Sequence, residues 1–265
     1  TLYFSLNNIL KKFLGLNVIV RKNKLGDKVT RRVFSRCSIK YSDKGYYFLD
    51  PMPSEQELNE YYAANYWDSN GGKQLGINLR DLVHLNIMQK YVPEFIEGKN
   101  LLNFGAGHGG LSHLAWFQGL NVVNVEPSDL KKYYTHNWMT YKSIYEVPSN
   151  SVDICYGSHS LEHVQDIDKF IFEIKRVLTK ESIMFWEVPN ANCEIAGAKI
   201  GKVIAPHTYY FTNAFFENLF DEVILNKSYY DSDDSSDRFK IESWEDLESS
   251  KGEVIRACGK FKNHK

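Results

Sequence analysis

The residues of this chain that could do chemistry fall into two groups. The first is the run Leu101-Leu102-Asn103-Phe104-Gly105-Ala106-Gly107-His108-Gly109-Gly110, apolar at its start, broken by glycines, and followed by Leu111 to Phe117. A strand that feeds a glycine turn and then a helix lets the backbone turn tightly and leaves no Cβ between the chain and a ligand. The helix start offers N–H groups to negative or polar ligand atoms. Glu126 ends the next apolar run, 21 residues after Gly105, where a carboxylate can accept both hydroxyls of a ribose. Together these features describe a site for a nucleoside-containing ligand. Gly105, Gly107 and Gly110 also satisfy G-x-G-x-x-G, so a dinucleotide for a hydride-transferring enzyme and a single nucleoside both fit the loop.

The second group is histidine, the side chain whose proton exchanges near neutral pH. The chain has 8: His84, His108, His113, His136, His159, His163, His207 and His264. His108 lies inside the glycine loop and His113 on the helix after it. His159, Glu162 and His163 follow the apolar run Val152 to Tyr156, at what would be the carboxyl edge of an open α/β sheet, where ligands bind. Such a His-x-x-Glu-His stretch can move protons, cap and pack the next helix, or hold a metal ion. His207 sits between a stretch containing Gly197 and Gly201 and a following helix, in the kind of loop that closes over a substrate. Tyr66, Trp67, Tyr209 and Tyr210 could stack on a sugar or cover a cationic centre.

The elements that must position these groups are legible in part. Thr30 to Asp50 alternates around Ser42-Asp43-Lys44-Gly45 and predicts a β-hairpin. Ser54, with Glu55 and Glu57, predicts a helix start running to about Tyr62. Asp68 to Gly72 reads as a loop, and Leu79 to Tyr91 as a helix ended near Pro93. From Asn100 to Glu187 strands alternate with helices: Leu101–Phe104, Val122–Val125, Val152–Tyr156 and Ser182–Val188, with Leu111–Phe117 and Phe170–Leu178 between them. That order predicts a parallel sheet with helices on both faces. A helix near Asn213–Phe220 and strands near Glu222–Leu225 and Val254–Phe261 complete the chain. Asp231 to Asp237 reads as a solvated acidic loop.

The whole-chain numbers exclude several functions. At 265 residues, 43% hydrophobic and 25% charged, the chain has the composition of a globular protein. With 32 basic and 33 acidic residues the formal charge is −1, so no global field attracts nucleic acid. No apolar run approaches the roughly 20 residues that span a bilayer. Cys37, Cys155, Cys193 and Cys258 are isolated, without a C-x-x-C pair, which fits reduced thiols in a cytoplasmic protein.

Several of these stretches together resemble one family. Leu101 to Gly110, Glu126, Ser151-Val152-Asp153-Ile154 and Leu161-Glu162-His163-Val164 are similar to the successive signatures of class I S-adenosylmethionine-dependent methyltransferases. The likeness is to the small-molecule branch, and Pro189-Asn190 and His207-Thr208-Tyr209-Tyr210-Phe211-Thr212 extend it. It covers Asn100 to about Phe220. Cys37 to Tyr62 also resembles an N-terminal segment of some sugar methyltransferases, without the zinc-binding cysteines that precede it there. Two positions depart from the family pattern: Asn103 stands where an acid is common, and Ser143 where an aspartate usually contacts adenine.

The resemblance implies a Rossmann-like doubly wound α/β sheet, mostly parallel with an antiparallel C-terminal strand, plus a small N-terminal α+β extension. The expected division is 1–75 for the extension and 76–265 for the core, with a substrate-loop insertion near 191–212. The implied cofactor is S-adenosyl-L-methionine, contacted by Phe104, Gly105, Ala106, Gly107, Gly109, Glu126, Pro127, Ser143, Ile144, Ser158 and His159. The implied acceptor is a small molecule, a sugar or nucleotide-sugar hydroxyl, met by Tyr66, Tyr209 and Tyr210, with His207 as first candidate for the base and His163 as second. Some ubiquinone-pathway relatives carry Glu-x-x-Glu-His and bind a divalent cation there. His159 replaces the first Glu in this chain, and no metal is assigned. No nucleic acid or membrane span is expected, and a homo-oligomer is allowed.

Overall fold

The computed structural model describes residues 30, 32–63, 77–92, 95, 97–129, 134, 136–193, 201–229 and 252–261. Its centre is a seven-stranded sheet. In chain order the elements are β1 (Ser38–Ser42), β2 (Tyr46–Asp50), α1 (Glu55–Ala63), α2 (Leu79–Tyr91), β3 (Asn100–Phe104), α3 (Gly110–Phe117), β4 (Asn121–Val125), β5 (Met139–Tyr141), β6 (Val152–Ser158), α4 (Ile167–Val177), β7 (Leu178–Pro189), β8 (Tyr209–Phe211), α5 (Asn213–Leu219), β9 (Glu222–Tyr229) and β10 (Val254–Lys260). The large sheet runs β5-β4-β3-β6-β7-β10-β9. Its first five strands are parallel, and β10 is inserted antiparallel between β7 and β9. This is the Rossmann-like doubly wound sheet that the strand–helix alternation predicts, with the expected antiparallel C-terminal pairing.

Side-chain alternation explains why both faces are covered. Leu101, Ile154, Ile183 and Phe185 point to one face, where Val83, Ile87 and Met88 of α2 and Leu111 and Ala115 of α3 meet them. Leu102, Cys155, Met184 and Trp186 point to the other, against Phe170 and Ile174 of α4 and Phe215 and Phe216 of α5. Strands buried on both faces read as near-continuous apolar runs, which is what these segments are. Local signals start the helices. The Asn78 side chain accepts the Asp81 N–H and Asp81 accepts the Asn78 N–H, both at 2.9 Å, a reciprocal capping box. Asp166 caps α4 through the Lys169 N–H.

The expected hairpin begins later than its alternation suggests, because residues 32–34 are helical and the first strand starts only at Ser38. Val33 and Phe34 of that turn are buried with Leu49, Leu58 and Tyr210, so burial in a small second core overrides the local pattern. Strand β8 was not expected at all. It pairs with β2 and completes a three-stranded sheet β1-β2-β8. The hairpin is therefore bound to a strand from the far side of the chain, and Tyr46 packs among Tyr209, Phe211 and Phe215. Strand β7 also starts earlier than expected, at Leu178, directly after α4. All four cysteines are free thiols. The loops predicted at 68–72 and 231–237 lie outside the described residues. Among the described residues no helix is long and apolar enough to cross a membrane.

Candidate active site

The glycine turn joins β3 to α3, and its glycines serve different ends. Gly105, Gly107 and Gly109 all have positive φ, of 70°, 54° and 76°. A Cβ on Gly105 would lie 2.6 Å from the Ser160 Cβ, so this glycine lets the loop pack on the turn after β6. A Cβ on Gly110 would strike the Asp81 carboxylate of the α2 cap, and one on Gly109 would press Tyr134 and Trp138. Only at Gly107 is there open space, the nearest atom lying 3.9 Å away. Helix α3 begins at Gly109 in the left-handed region with no side chain capping its first turn. Of the three motif glycines, Gly107 alone leaves room for a ligand; the other two answer to packing.

Glu126 follows β4 and is 2% exposed. Its Oε2 accepts the Gly107 N–H at 2.8 Å and its Oε1 accepts the Ser128 N–H at 2.9 Å. Each carboxylate oxygen thereby keeps capacity for a further donor. The departure at Asn103 has a packing reason. Its amide donates to Ser112 Oγ at 2.9 Å, and Ser112 donates to Asn124 Oδ1 at 2.7 Å, tying β3, α3 and β4 together in the interior. Ser143 caps the short 3-10 turn Ile144–Glu146 by accepting the Tyr145 N–H, with Ile144 buried beneath it. Pro127 is exposed, and its carbonyl accepts Lys142 Nζ at 3.0 Å. Phe104 packs on Phe170 and Trp186, and Ala106 is buried.

The histidines converge one turn away. The 3-10 turn Leu161–His163 follows β6, and Thr208 stitches the later loop onto it, donating to the Glu162 carbonyl from both its N–H and its hydroxyl at 2.8 and 2.9 Å. This brings His207 beside His163, with ring centroids 5.1 Å apart, while Tyr62 of α1 meets His163 edge-on at 6.4 Å. Glu162 lies between them, 1% exposed, and one donor atom from each of Glu162, His163 and His207 falls within 4.8 Å of the others. Neither Glu162 oxygen has a hydrogen-bond partner among the described residues. Burial pushes the Glu162 carboxyl up, but His163, His159 and His207 outweigh it and hold the group at about 2. His163 is pushed down chiefly by burial, against the pull of Glu162. His159, with φ of 48°, does not join this set; its Nδ1 and Nε2 lie 3.4 Å from Glu162 and from Glu187.

Glu187, on β7 and fully buried, escaped the sequence reading. Its Oε2 accepts Arg256 Nε and meets His84 Nε2, both at 2.7 Å, and its Oε1 accepts the Ser158 hydroxyl at 3.2 Å with Arg80 Nε at the same distance. His84 in turn meets the Tyr156 hydroxyl at 2.7 Å. Burial alone would raise the Glu187 carboxyl, yet the cations around it hold it well below the usual range. One signal could have found it. Glu187 is the one charge in the stretch Ser182–Pro189 and Arg256 the one charge in Val254–Gly259, and they are direct cross-strand partners.

Residues 78–226 match the methyltransferase domain family. The chain belongs to that family. It is 26% identical over 153 residues to a ubiquinone biosynthesis O-methyltransferase of Pelagibacter ubique (strain HTCC1062), covering 50% of this chain and 63% of that one. The chain therefore spans less than two thirds of that relative's length. Among solved structures, a SAM dependent methyltransferase from Archaeoglobus fulgidus is 16% identical with a TM-score of 0.47, covering 67% of this chain and 93% of that one. An S-adenosylmethionine dependent methyltransferase from Mesorhizobium loti is 15% identical with a TM-score of 0.48, covering 66% and 96%.

Within this methyltransferase domain the remaining expected residues fall in different places. Tyr209 is buried; its hydroxyl accepts the Ile167 N–H at 3.2 Å and its ring stacks on Phe211, so it goes with the core under β8. Tyr210 is 2% exposed and its hydroxyl accepts the Ile204 N–H at 2.9 Å, although its ring lies 5.9 Å from that of His207. Both tyrosines spend their hydroxyls on backbone, so what either could offer an acceptor is its ring. Tyr66 and Trp67 lie outside the described residues. Tyr62, Arg80 and His84 were not singled out as site residues, since nothing local marks them.

Proposed function

We propose that this methyltransferase domain transfers the methyl group of S-adenosyl-L-methionine to a hydroxyl of a small molecule, a sugar or nucleotide-sugar. The observation that carries the reading is the contact of Gly105 with Ser160, which makes the glycine loop and the histidine turn neighbours at one sheet edge. The residues fit the cofactor. The open space over Gly107, the α3 start without a side-chain cap, and the two part-satisfied oxygens of Glu126 offer a cradle, polar donors and a ribose acceptor. When bound, the cofactor supplies a methyl carbon activated by its sulfonium. Phe104, Ala106 and Ile144 would wall the site with apolar surface, and Ser143 would offer a hydroxyl where an acid is more usual.

What remains for the chain is to align the acceptor and take its proton. His207 and His163 flank Glu162, and a carboxylate beside an imidazole stabilises the imidazolium that forms when the base accepts a proton. His207 keeps first place because it stands on the later loop, with His163 as its neighbour in the same relay. The resemblance of Cys37 to Tyr62 to sugar-modifying relatives, and the approach of Tyr62 to His163, support a sugar acceptor. The relative's name supports oxygen as the methylated atom. Residues 1–75 would serve as the cover of the acceptor side, with 76–265 as the catalytic body. The test is transfer of a labelled methyl group from S-adenosyl-L-methionine to a panel of nucleotide-sugars, free sugars and phenols. Labelling of a sugar-containing acceptor is expected; labelling of the phenols alone would overturn the sugar assignment, and labelling of none would overturn the enzyme assignment.

A further inference from the structure

His159 lies at the same sheet edge as the proposed acid–base pair but has no part in the proposed chemistry, and its setting is constrained on several sides. Its backbone sits at φ of 48°, in the left-handed region that a side chain of this size seldom occupies, and its N–H donates to the Glu187 carbonyl at 2.9 Å. Its ring lies between two buried carboxylates. Nδ1 is 3.4 Å from Glu162 Oε1, and Nε2 is 3.4 Å from Glu187 Oε1. Neither contact meets hydrogen-bond geometry, so the pull is charge on charge: a neutral imidazole turns a lone pair on one of the two carboxylates, whereas an imidazolium presents an N–H to each. A left-handed backbone at a site residue points to a functional demand on where the ring is held.

We propose that His159 is a positioning residue: an imidazolium clamped between Glu187 and Glu162, which keeps Glu162 charged and in place and leaves the adjoining His163 neutral, ready to receive a proton. The proposal rests on the reading of His163 and His207 as the acid–base pair. Among the described residues, charged groups of both signs act on the ring. Glu162 comes from the same turn and Glu187 from β7, and Arg80 of α2 opposes them, its Nε lying 3.2 Å from Glu187 Oε1, the oxygen that His159 Nε2 also approaches. Burial and Arg80 push His159 down, and the two carboxylates outweigh them to bring it up to about 9. Around His163 stand Glu162, His159, His207, Tyr62 and the Pro206 carbonyl, and the positive charge of His159 adds to burial in keeping that ring neutral. Glu187 is in turn locked by Arg256 and His84, so the clamp reaches from the sheet interior to the reacting edge.

The test is a pH titration of the full chain labelled with nitrogen-15 histidine, read by long-range proton–nitrogen NMR, with His159 and His163 assigned by single variants. It needs neither acceptor nor cofactor, so it stands apart from the methyl-transfer reading. In the wild type, His159 should keep both nitrogens protonated through pH 8 and lose one near pH 9, while His163 stays neutral down to below pH 6.5. Glu162→Gln should lower the His159 midpoint by about one unit or more, since an opposite charge at this range is worth about 1–3 units, and His159→Gln should raise the His163 midpoint by removing a like charge. A wild-type His159 that titrates below pH 7 would overturn the proposal, even if neither variant folds. So would a His163 midpoint that stays put when His159 loses its charge.

Discussion

The glycine-loop side of the site and its histidine side differ in how much chain is needed to build them. Gly105 to Glu126 is one β-turn-α-β passage, and its key bond, from the Gly107 N–H to Glu126, closes within it. The histidine side draws Tyr62 from α1, Arg80 and His84 from α2, Glu162 and His163 from the turn after β6, Glu187 from β7, His207 from a later loop and Arg256 from the last strand. The first is set by local turn chemistry. The second exists only once the sheet has closed, and its charges depend on one another. The proposed division of labour follows: a ligand grip that tolerates change elsewhere, and a proton-handling cluster that does not.

The largest effects are expected on the histidine side. His207→Asn and His163→Asn should each lower the rate of methyl transfer by about 100- to 10,000-fold, because the acceptor keeps its proton. If His163→Asn removes activity and His207→Asn does not, the base lies on the turn after β6 and the order proposed here is reversed. Next comes stability. Arg256→Met leaves Glu187 buried with one cation fewer, and breaking a buried pair this way costs about 3–5 kcal/mol, readable by denaturant unfolding. Adding Glu187→Gln to Arg256→Met should recover part of that loss; no recovery would mean that the pair is not what holds β7 to β10.

A paired glycine experiment separates the two ends of the loop. Gly105→Ala drives a methyl group into Ser160 and should destabilise the fold by about 1–3 kcal/mol. Gly107→Ala brings its methyl group no closer than 3.9 Å to an atom of the described residues, so its main effect should be weaker binding of S-adenosylhomocysteine by calorimetry, with a strain cost of only about 1–2 kcal/mol. Binding of S-adenosylhomocysteine unchanged in Gly107→Ala would contradict the assignment of Gly107 to the ligand. The smallest effect is the pH dependence. His159 is raised from its ordinary 6.5 to about 9, so its contribution to stability is complete below pH 6.5 and is lost as the pH rises through 9. The gap in unfolding temperature between wild type and His159→Gln should therefore narrow over that window.

Much of the fold was legible because its strands are short apolar runs punctuated by glycine, proline and capping residues. The glycine loop, Glu126 and the helix start at Ser54 are local signals of this kind. Strand β8 was not legible, since Tyr209 to Phe211 becomes a strand only by pairing with β2, far upstream. The burial of Tyr209 and Tyr210 was not legible for the same reason: they lie close to His207 in sequence, and the small sheet turns them inward. Glu162, His163 and His207 were each singled out, yet their meeting depends on Thr208 bonding to the Glu162 carbonyl across 46 residues. Glu187 and Arg256 left a trace as single charges within the apolar stretches Ser182–Pro189 and Val254–Gly259, and only the register shows that they face each other.

The account turns most directly on whether the Gly107–Glu126 end binds an S-adenosyl ligand. Calorimetric titration of the wild-type chain and of Glu126→Ala, each with S-adenosylhomocysteine and with NAD, measures this without knowledge of the acceptor. Wild type should bind S-adenosylhomocysteine and not NAD. Glu126→Ala should fold normally and bind about 10- to 100-fold more weakly, the loss of a charge-assisted pair worth roughly 1.5–3 kcal/mol. Binding of NAD in preference, or an affinity for S-adenosylhomocysteine unchanged in Glu126→Ala, would contradict it.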